Sequence, residues 1–216
     1  MIKHIFPIHI WEANYPGYNK EETVRYFDEY INRVGSHKLN YYIGNADTTA
    51  SEFKDTDVMD TSSDNYPFVG HSMQELNMPE LHDWLNIQIT KYHEYHEYKD
   101  ADKFQISNVW VNSSSQGGQV VLHNHSPALT SGVFYVDAYP EQGNLCLLNP
   151  NDAVKGKQWH QPTIMPGTDN HNFYRTKWYE FQVQSGRLIL FPGYLYHQVL
   201  KNSTDHKRRV INFDVV

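Results

Sequence analysis

His123 and His125 flank a single asparagine at the end of an apolar run, Val120-Val121-Leu122-His123-Asn124-His125. A strand alternates its side chains between two faces, so histidines one residue apart point the same way. Two imidazoles on one face at a strand end can bind one metal ion. A third, His197, follows Phe191-Pro192-Gly193-Tyr194-Leu195-Tyr196. It sits at a strand edge after a Pro-Gly turn and can close on the first two if the strands are neighbours. Neutral imidazole suits iron, zinc, copper or nickel. For an isolated His-x-His the plain reading is one loop cap and one exposed ring; the distant His197 favours a metal.

A cation accompanies these ligands. Lys207-Arg208-Arg209 opens the last apolar run, Val210-Ile211-Asn212-Phe213-Asp214-Val215. Arg208, Val210, Asn212 and Asp214 share one strand face; Arg209, Ile211, Phe213 and Val215 share the other. The second set reads as a packing face turned to helices, the first as the face of an interior. An arginine facing inward near a metal is a carboxylate clamp, because its planar fork matches a carboxylate bidentately. A shift of one residue would exchange the faces and give that part to Arg209. The plain alternative for the triplet is a solvated basic patch.

These residues need a scaffold of strands. After residue 103 the sequence alternates like strands over Phe104–Val111, Gln119–Leu122, Ser131–Val136, Asn144–Leu148, Glu180–Gln184, Leu188–Phe191 and Val210–Val216. Before it come a short strand, Ile5–Trp11, and two helices. The first has Asn19 as N-cap, Val24, Phe27, Ile31 and Val34 on one face, and Gly35 as its stop. The second runs from Pro79 to Tyr98, with Leu81, Trp84, Leu85, Ile89 and Tyr92 on its apolar face. Residues 45–70 are polar and read as loop. Helices first and many strands after give an α+β class, mainly β: a closed barrel or a sandwich backed by the N-terminal helices. The length suits one domain over residues 1–216, with 1–103 as support and 104–216 as the β core. The connection over 149–177 is long enough to be a lid.

Composition narrows the partners. A net charge of −7 argues against nucleic acid, whose phosphates need a basic footprint. No apolar stretch reaches membrane-spanning length, and the N-terminus has no signal-peptide pattern. The single cysteine, Cys146, forms no intrachain disulfide and lies in an apolar run, which fits a cytoplasmic protein. A homodimer is left open.

In order along the chain stand Trp110-Val111-Asn112, His123-Asn124-His125-Ser126-Pro127, Ser131-Gly132-Val133-Phe134-Tyr135-Val136, Leu190-Phe191-Pro192 with His197, and Arg208 with the strand after it. This set, covering roughly residues 104–216, resembles iron(II)- and 2-oxoglutarate-dependent oxygenases of the phage and marine-bacterial type, in the prolyl-hydroxylase-like superfamily. The resemblance implies a double-stranded β-helix and a dioxygenase, a hydroxylase of a small molecule or peptide. Its cofactors would be Fe(II), 2-oxoglutarate as co-substrate, and O2, with succinate as the co-product. It makes His123 the first metal ligand and His197 the distal one. His125 falls where that superfamily carries a carboxylate, and is read as a true third ligand. Arg208 would clamp the distal carboxylate of 2-oxoglutarate and Tyr135 would donate to it. The small hydroxyl residue often found two after the arginine is Val210 here, so Asn112 or Asn212 is the substitute. Trp110 and the loop residues Trp159, Tyr174 and Arg175 are candidates for the substrate.

Two rivals stand beside this reading. A cupin-type metalloenzyme shares the barrel and includes three-histidine dioxygenases and isomerases. It lacks the inward arginine and expects a glutamate where Ala128-Leu129-Thr130 stands. A non-catalytic binding or structural module is the second rival. His93-Glu94-Tyr95-His96-Glu97 is set aside: its histidines are three apart, where a zinc-protease helix needs four. It reads as an exposed, polar helix end.

Overall fold

The computed structural model describes residues 8–38, 42–50, 72–150 and 178–216. In chain order these carry β1 (Trp11–Asn14), α1 (Lys20–Val34), β2 (Tyr42–Ile43), β3 (Ala46–Thr48), α2 (Pro79–Tyr95), β4 (Ile106–Ser114), β5 (Gln119–His123) and β6 (Thr130–Asp137). Then follow β7 (Leu145–Leu148), β8 (Trp178–Phe181), β9 (Arg187–Pro192), β10 (His197–Val199) and β11 (Arg208–Val215).

The strands form two antiparallel sheets, one of order β1-β9-β6-β11-β4-β3 and one of order β2-β5-β10-β7-β8. Among the described residues no ladder joins the two, so the architecture is a sandwich and the closed-barrel option does not hold. The larger sheet is covered on its outer face by α1 and α2. Phe27, Leu81, Leu85 and Ile89 of the helices pack there with Phe134, Val136, Ile211 and Phe213. Its inner face packs on the smaller sheet: Val133, Tyr135, Ile189, Phe191 and Val210 meet Leu145, Leu147 and Phe181. β6 and β11 are buried almost throughout because both of their faces are covered.

α1 begins and ends where its caps dictate. The Asn19 side chain accepts from the Glu22 amide, and the Gly35 amide returns to the Ile31 carbonyl. The apolar stripe of α2 is as expected, but the helix stops at Tyr95 rather than Tyr98, because Glu97 turns into positive φ. The first strand lies at Trp11–Asn14 rather than 5–11; residues 8–10 are outside any strand, and 1–7 lie outside the described residues. Within the polar segment read as loop, Ala46–Thr48 pairs with β4. It is an edge strand held by the ladder, with no alternation of its own for the sequence to show. His93, read as part of an exposed helix end, is wholly buried. Its Nε2 lies 2.8 Å from the Thr130 hydroxyl, and its ring packs edge-on against Phe104.

Candidate metal centre

β5 and β10 are adjacent, and their register sets His123 directly opposite His197. His125 comes two residues later, where the chain leaves β5. Its amide donates to the Gly193 carbonyl over 2.8 Å, and the Gly193 amide donates to Leu129. The turn after β5 is therefore tied to the Pro192-Gly193 turn before β10. That approach needs a glycine: a Cβ at position 193 would lie 2.2 Å from the Ala128 carbonyl oxygen. Ring centroids of His123 and His197 are 4.3 Å apart, and His125 lies 5.1 Å from the first and 4.9 Å from the second. One ring nitrogen from each falls within 4.8 Å of the others. Three imidazoles so placed can hold one metal ion.

The hydrogen bonds fix which nitrogen each ring offers. A carbonyl only accepts, so His123 Nδ1, 2.8 Å from the Val121 carbonyl, carries its proton, as does His197 Nδ1, 3.0 Å from that of Leu195. His125 Nδ1 lies 2.9 Å from the Asp214 carboxylate, which forces the same tautomer. In all three rings Nε2 is left with the lone pair that a metal needs. Burial, and then the neighbouring His125, hold His123 down to about 4; burial and the two other rings hold His197 well below the ordinary histidine range. His123 and His197 are thus neutral at physiological pH and ready to ligate.

Behind the triad lies a pocket between the two sheets. Trp110, Asn112, Tyr135, Arg208 and Asn212 line it together with Tyr42. Arg208 is buried, with Nη1 donating to the carbonyls of Gln142 (2.6 Å) and Gly143 (2.7 Å) and Nη2 to the Ser114 hydroxyl (3.3 Å). Among the described residues it has no carboxylate partner. Burial lowers the guanidinium to about 10, the mark of a cation held without a counterion. Arg209 faces the opposite way and binds Asp28 of α1 and Asp137 of β6. The face assignment that points Arg208 inward therefore describes the strand, and Arg209 is outside the pocket. The Trp110 ring centre lies 5.2 Å from that of His125. Trp159, Tyr174 and Arg175, with the rest of 151–177, lie outside the described residues.

Three residues of the site have no role in the expectations from sequence. Tyr42 donates to Asn112 Oδ1 over 3.0 Å, and it sits in a two-residue edge strand that leaves no periodic signal. Asp214 and Ser131 touch each other and His125. Asp214 shares the inward face with Arg208, and an acid inside an otherwise apolar strand was the signal available.

A family model described as "Putative 2OG-Fe(II) oxygenase" matches residues 108–214, a span that contains all three histidines and Arg208. The chain belongs to that oxygenase family. Solved structures agree on the fold. An oxidoreductase of the 2OG-Fe(II) oxygenase family from Burkholderia pseudomallei superposes with a TM-score of 0.59 at 10% identity, covering 95% of this chain and 83% of that one. HygX from Streptomyces hygroscopicus, with nickel and 2-oxoglutarate bound, gives 0.52 at 10% identity over 95% and 82%. A Trichoplax adhaerens prolyl hydroxylase, in complex with a hypoxia inducible factor peptide fragment, gives 0.54 at 12% identity over 95% and 82%. No curated protein matches the chain. The oxygenase's fold is thus the double-stranded β-helix in its open, two-sheet form, and its cofactors are iron(II), 2-oxoglutarate and O2. The cupin and the non-catalytic module give way to it. Among the described residues no helix is long and apolar enough to cross a membrane.

Proposed function

We propose that the oxygenase is a hydroxylase of a small molecule or peptide side chain, with His123, His125 and His197 holding iron(II) and Arg208 holding 2-oxoglutarate. The observation that carries this is the pairing of three imidazoles with a buried guanidinium that has no carboxylate partner among the described residues, in one pocket. The two halves fit the two cofactors. Imidazole nitrogens suit ferrous iron, and a buried fork of N–H groups suits the carboxylate end of a dicarboxylate. When bound, iron and 2-oxoglutarate together supply the oxidising power, with O2 as oxidant and succinate and carbon dioxide as products.

The protein's own part is to bind, orient and exclude water. Arg208 and Tyr135 set the depth at which the co-substrate sits, and Asn112 and Asn212 offer amide groups beside it. Asn212 Nδ2 is buried and has no partner among the described residues, so it is placed to donate to a bound molecule. Trp110 walls the metal side of the pocket, and the apolar lining of Val133, Leu145 and Val199 keeps it dry. A neutral or basic substrate fits the acidic chain, and the free buried thiol of Cys146 supports a cytosolic setting.

The test is substrate-dependent turnover under 18O2 with a library of small molecules and peptides. One labelled oxygen in the product and one in succinate is expected. Consumption of 2-oxoglutarate that yields a product without added oxygen would refute hydroxylation.

A further inference from the structure

Asp214 is fully buried, and its carboxylate meets the ring of His125. Among the described residues the other buried aspartate is Asp137, which faces Lys20 and Arg209. Asp214 has neither. Its Oδ1 accepts from the Ser131 hydroxyl at 2.7 Å and from His125 Nδ1 at 2.9 Å, and its Oδ2 has no hydrogen-bond partner among the described residues. The hydroxyl proton of Ser131 is given to Asp214, so Ser131 Oγ, 3.0 Å from His125 Nδ1, can only be a second acceptor of the imidazole proton. Everything around this carboxylate converges on one N–H.

With its proton on Nδ1, held by the carboxylate, the His125 ring turns Nε2 toward the other two histidines. The strand register fixes this relation: Ser131 of β6 is paired with Asp214 of β11, so the acid and the hydroxyl sit opposite each other on one rung of the ladder.

We propose that Asp214, oriented by Ser131, is a positioning residue for the metal centre: it fixes the tautomer and ring plane of His125, so that Nε2 faces the ion. This rests on the reading of the triad as a metal site. Its consequence is that His125 is a stronger donor than the other two histidines, whose Nδ1 protons face neutral carbonyls.

The experiment is a metal titration of the full chain, with cobalt(II) and, anaerobically, with iron(II), alongside Asp214→Asn and Ser131→Ala. Asparagine keeps the acceptor oxygen and removes the charge. One ion per chain is expected throughout, with affinity lowered 10- to 100-fold in Asp214→Asn and less in Ser131→Ala. In the cobalt form, the His125 Nδ1–H resonance should exchange slowly with water in the unsubstituted protein and faster in both variants. If the unsubstituted chain binds no ion, the metal-site reading fails and the inference falls with it. If it binds one ion and Asp214→Asn binds as tightly, with an unchanged resonance, only the role of Asp214 is overturned. If Asp214→Asn does not fold, the resonance in the unsubstituted protein decides: slow exchange supports the hydrogen bond to a buried carboxylate, and fast exchange overturns it.

Discussion

Replacing Arg208 with methionine should abolish tight binding of 2-oxoglutarate while leaving the fold intact, an uncommon outcome for a buried arginine. Methionine keeps the length and apolar stem and removes the charge. On the folding side, three hydrogen bonds are lost, to the carbonyls of Gln142 and Gly143 and to the Ser114 hydroxyl. Leaving such acceptors unpaired costs about 1–3 kcal/mol each at most. Against this stands relief of a buried, uncompensated cation, whose pKa of about 10 against an ordinary 12.5 corresponds to about 3 kcal/mol of burial cost. The three acceptors together cost about 3–9 kcal/mol, of which the relief offsets about 3, so the melting temperature should fall, by no more than roughly 12–24 °C. On the binding side nothing cancels. Removing one partner of a buried, hydrogen-bonded charge pair costs about 2–5 kcal/mol, or roughly 30-fold to several thousand-fold in affinity. The assay is an anaerobic titration of the iron-loaded protein with 2-oxoglutarate, following the charge-transfer absorbance. Arg209→Met is the control: its bonds to Asp28 and Asp137 are structural, so it should lose about 2 kcal/mol of stability and bind 2-oxoglutarate normally. Binding by Arg208→Met within threefold of the unsubstituted protein, or loss of binding in Arg209→Met instead, would refute the reasoning.

Three further outcomes can be checked. His93, held down to about 4 by burial, stays neutral in the folded protein while the unfolded chain takes up a proton below about 6.5. Stability from this group is therefore full above pH 6.5 and falls as the pH drops toward 4, by about 2 kcal/mol at pH 5. Thermal melts at pH 7.5 and 5 should show a gap smaller by roughly 4–8 °C in His93→Gln than in the unsubstituted protein. Gly143→Ala places a methyl group 1.9 Å from the Leu200 carbonyl oxygen and 2.8 Å from Arg208 Nη1, at a φ of +89°. It should cost about 2–3 kcal/mol in a denaturant melt and weaken 2-oxoglutarate in the titration above. Tyr135→Phe removes only a hydroxyl from the pocket wall, and 2-oxoglutarate should bind about 5- to 10-fold more weakly, as one neutral hydrogen bond is worth about 1 kcal/mol.

Much of the site was legible because strands carry a simple code. Alternation alone put His123 and His125 on one face and separated Arg208 from Arg209, and the structure shows Arg208 lining the pocket and Arg209 bonded to α1. The long strands β4, β6, β9 and β11 were visible as apolar runs, since each is buried on at least one face. What stayed hidden is held by partners distant in sequence. β2 and β3 are two and three residues long and exist only through pairing with β5 and β4. Tyr42 therefore enters the pocket unannounced. His93 looked exposed because its neighbours Glu94 and Tyr95 are exposed; only the packing of α2 against Thr130 and Phe104 buries it. Asp214 lay in plain view on the inward face, but its link to His125 spans 89 residues and no spacing rule reaches that far.

The most direct test of the three-histidine centre is X-ray absorption of the protein loaded anaerobically with one equivalent of iron(II) and 2-oxoglutarate. The outer-shell scattering should count three imidazoles on the iron, falling to two in His125→Ala. A count of two in the unsubstituted protein, with oxygen in the third place, would contradict a ligating His125 and leave its bond to Asp214 without the purpose assigned to it.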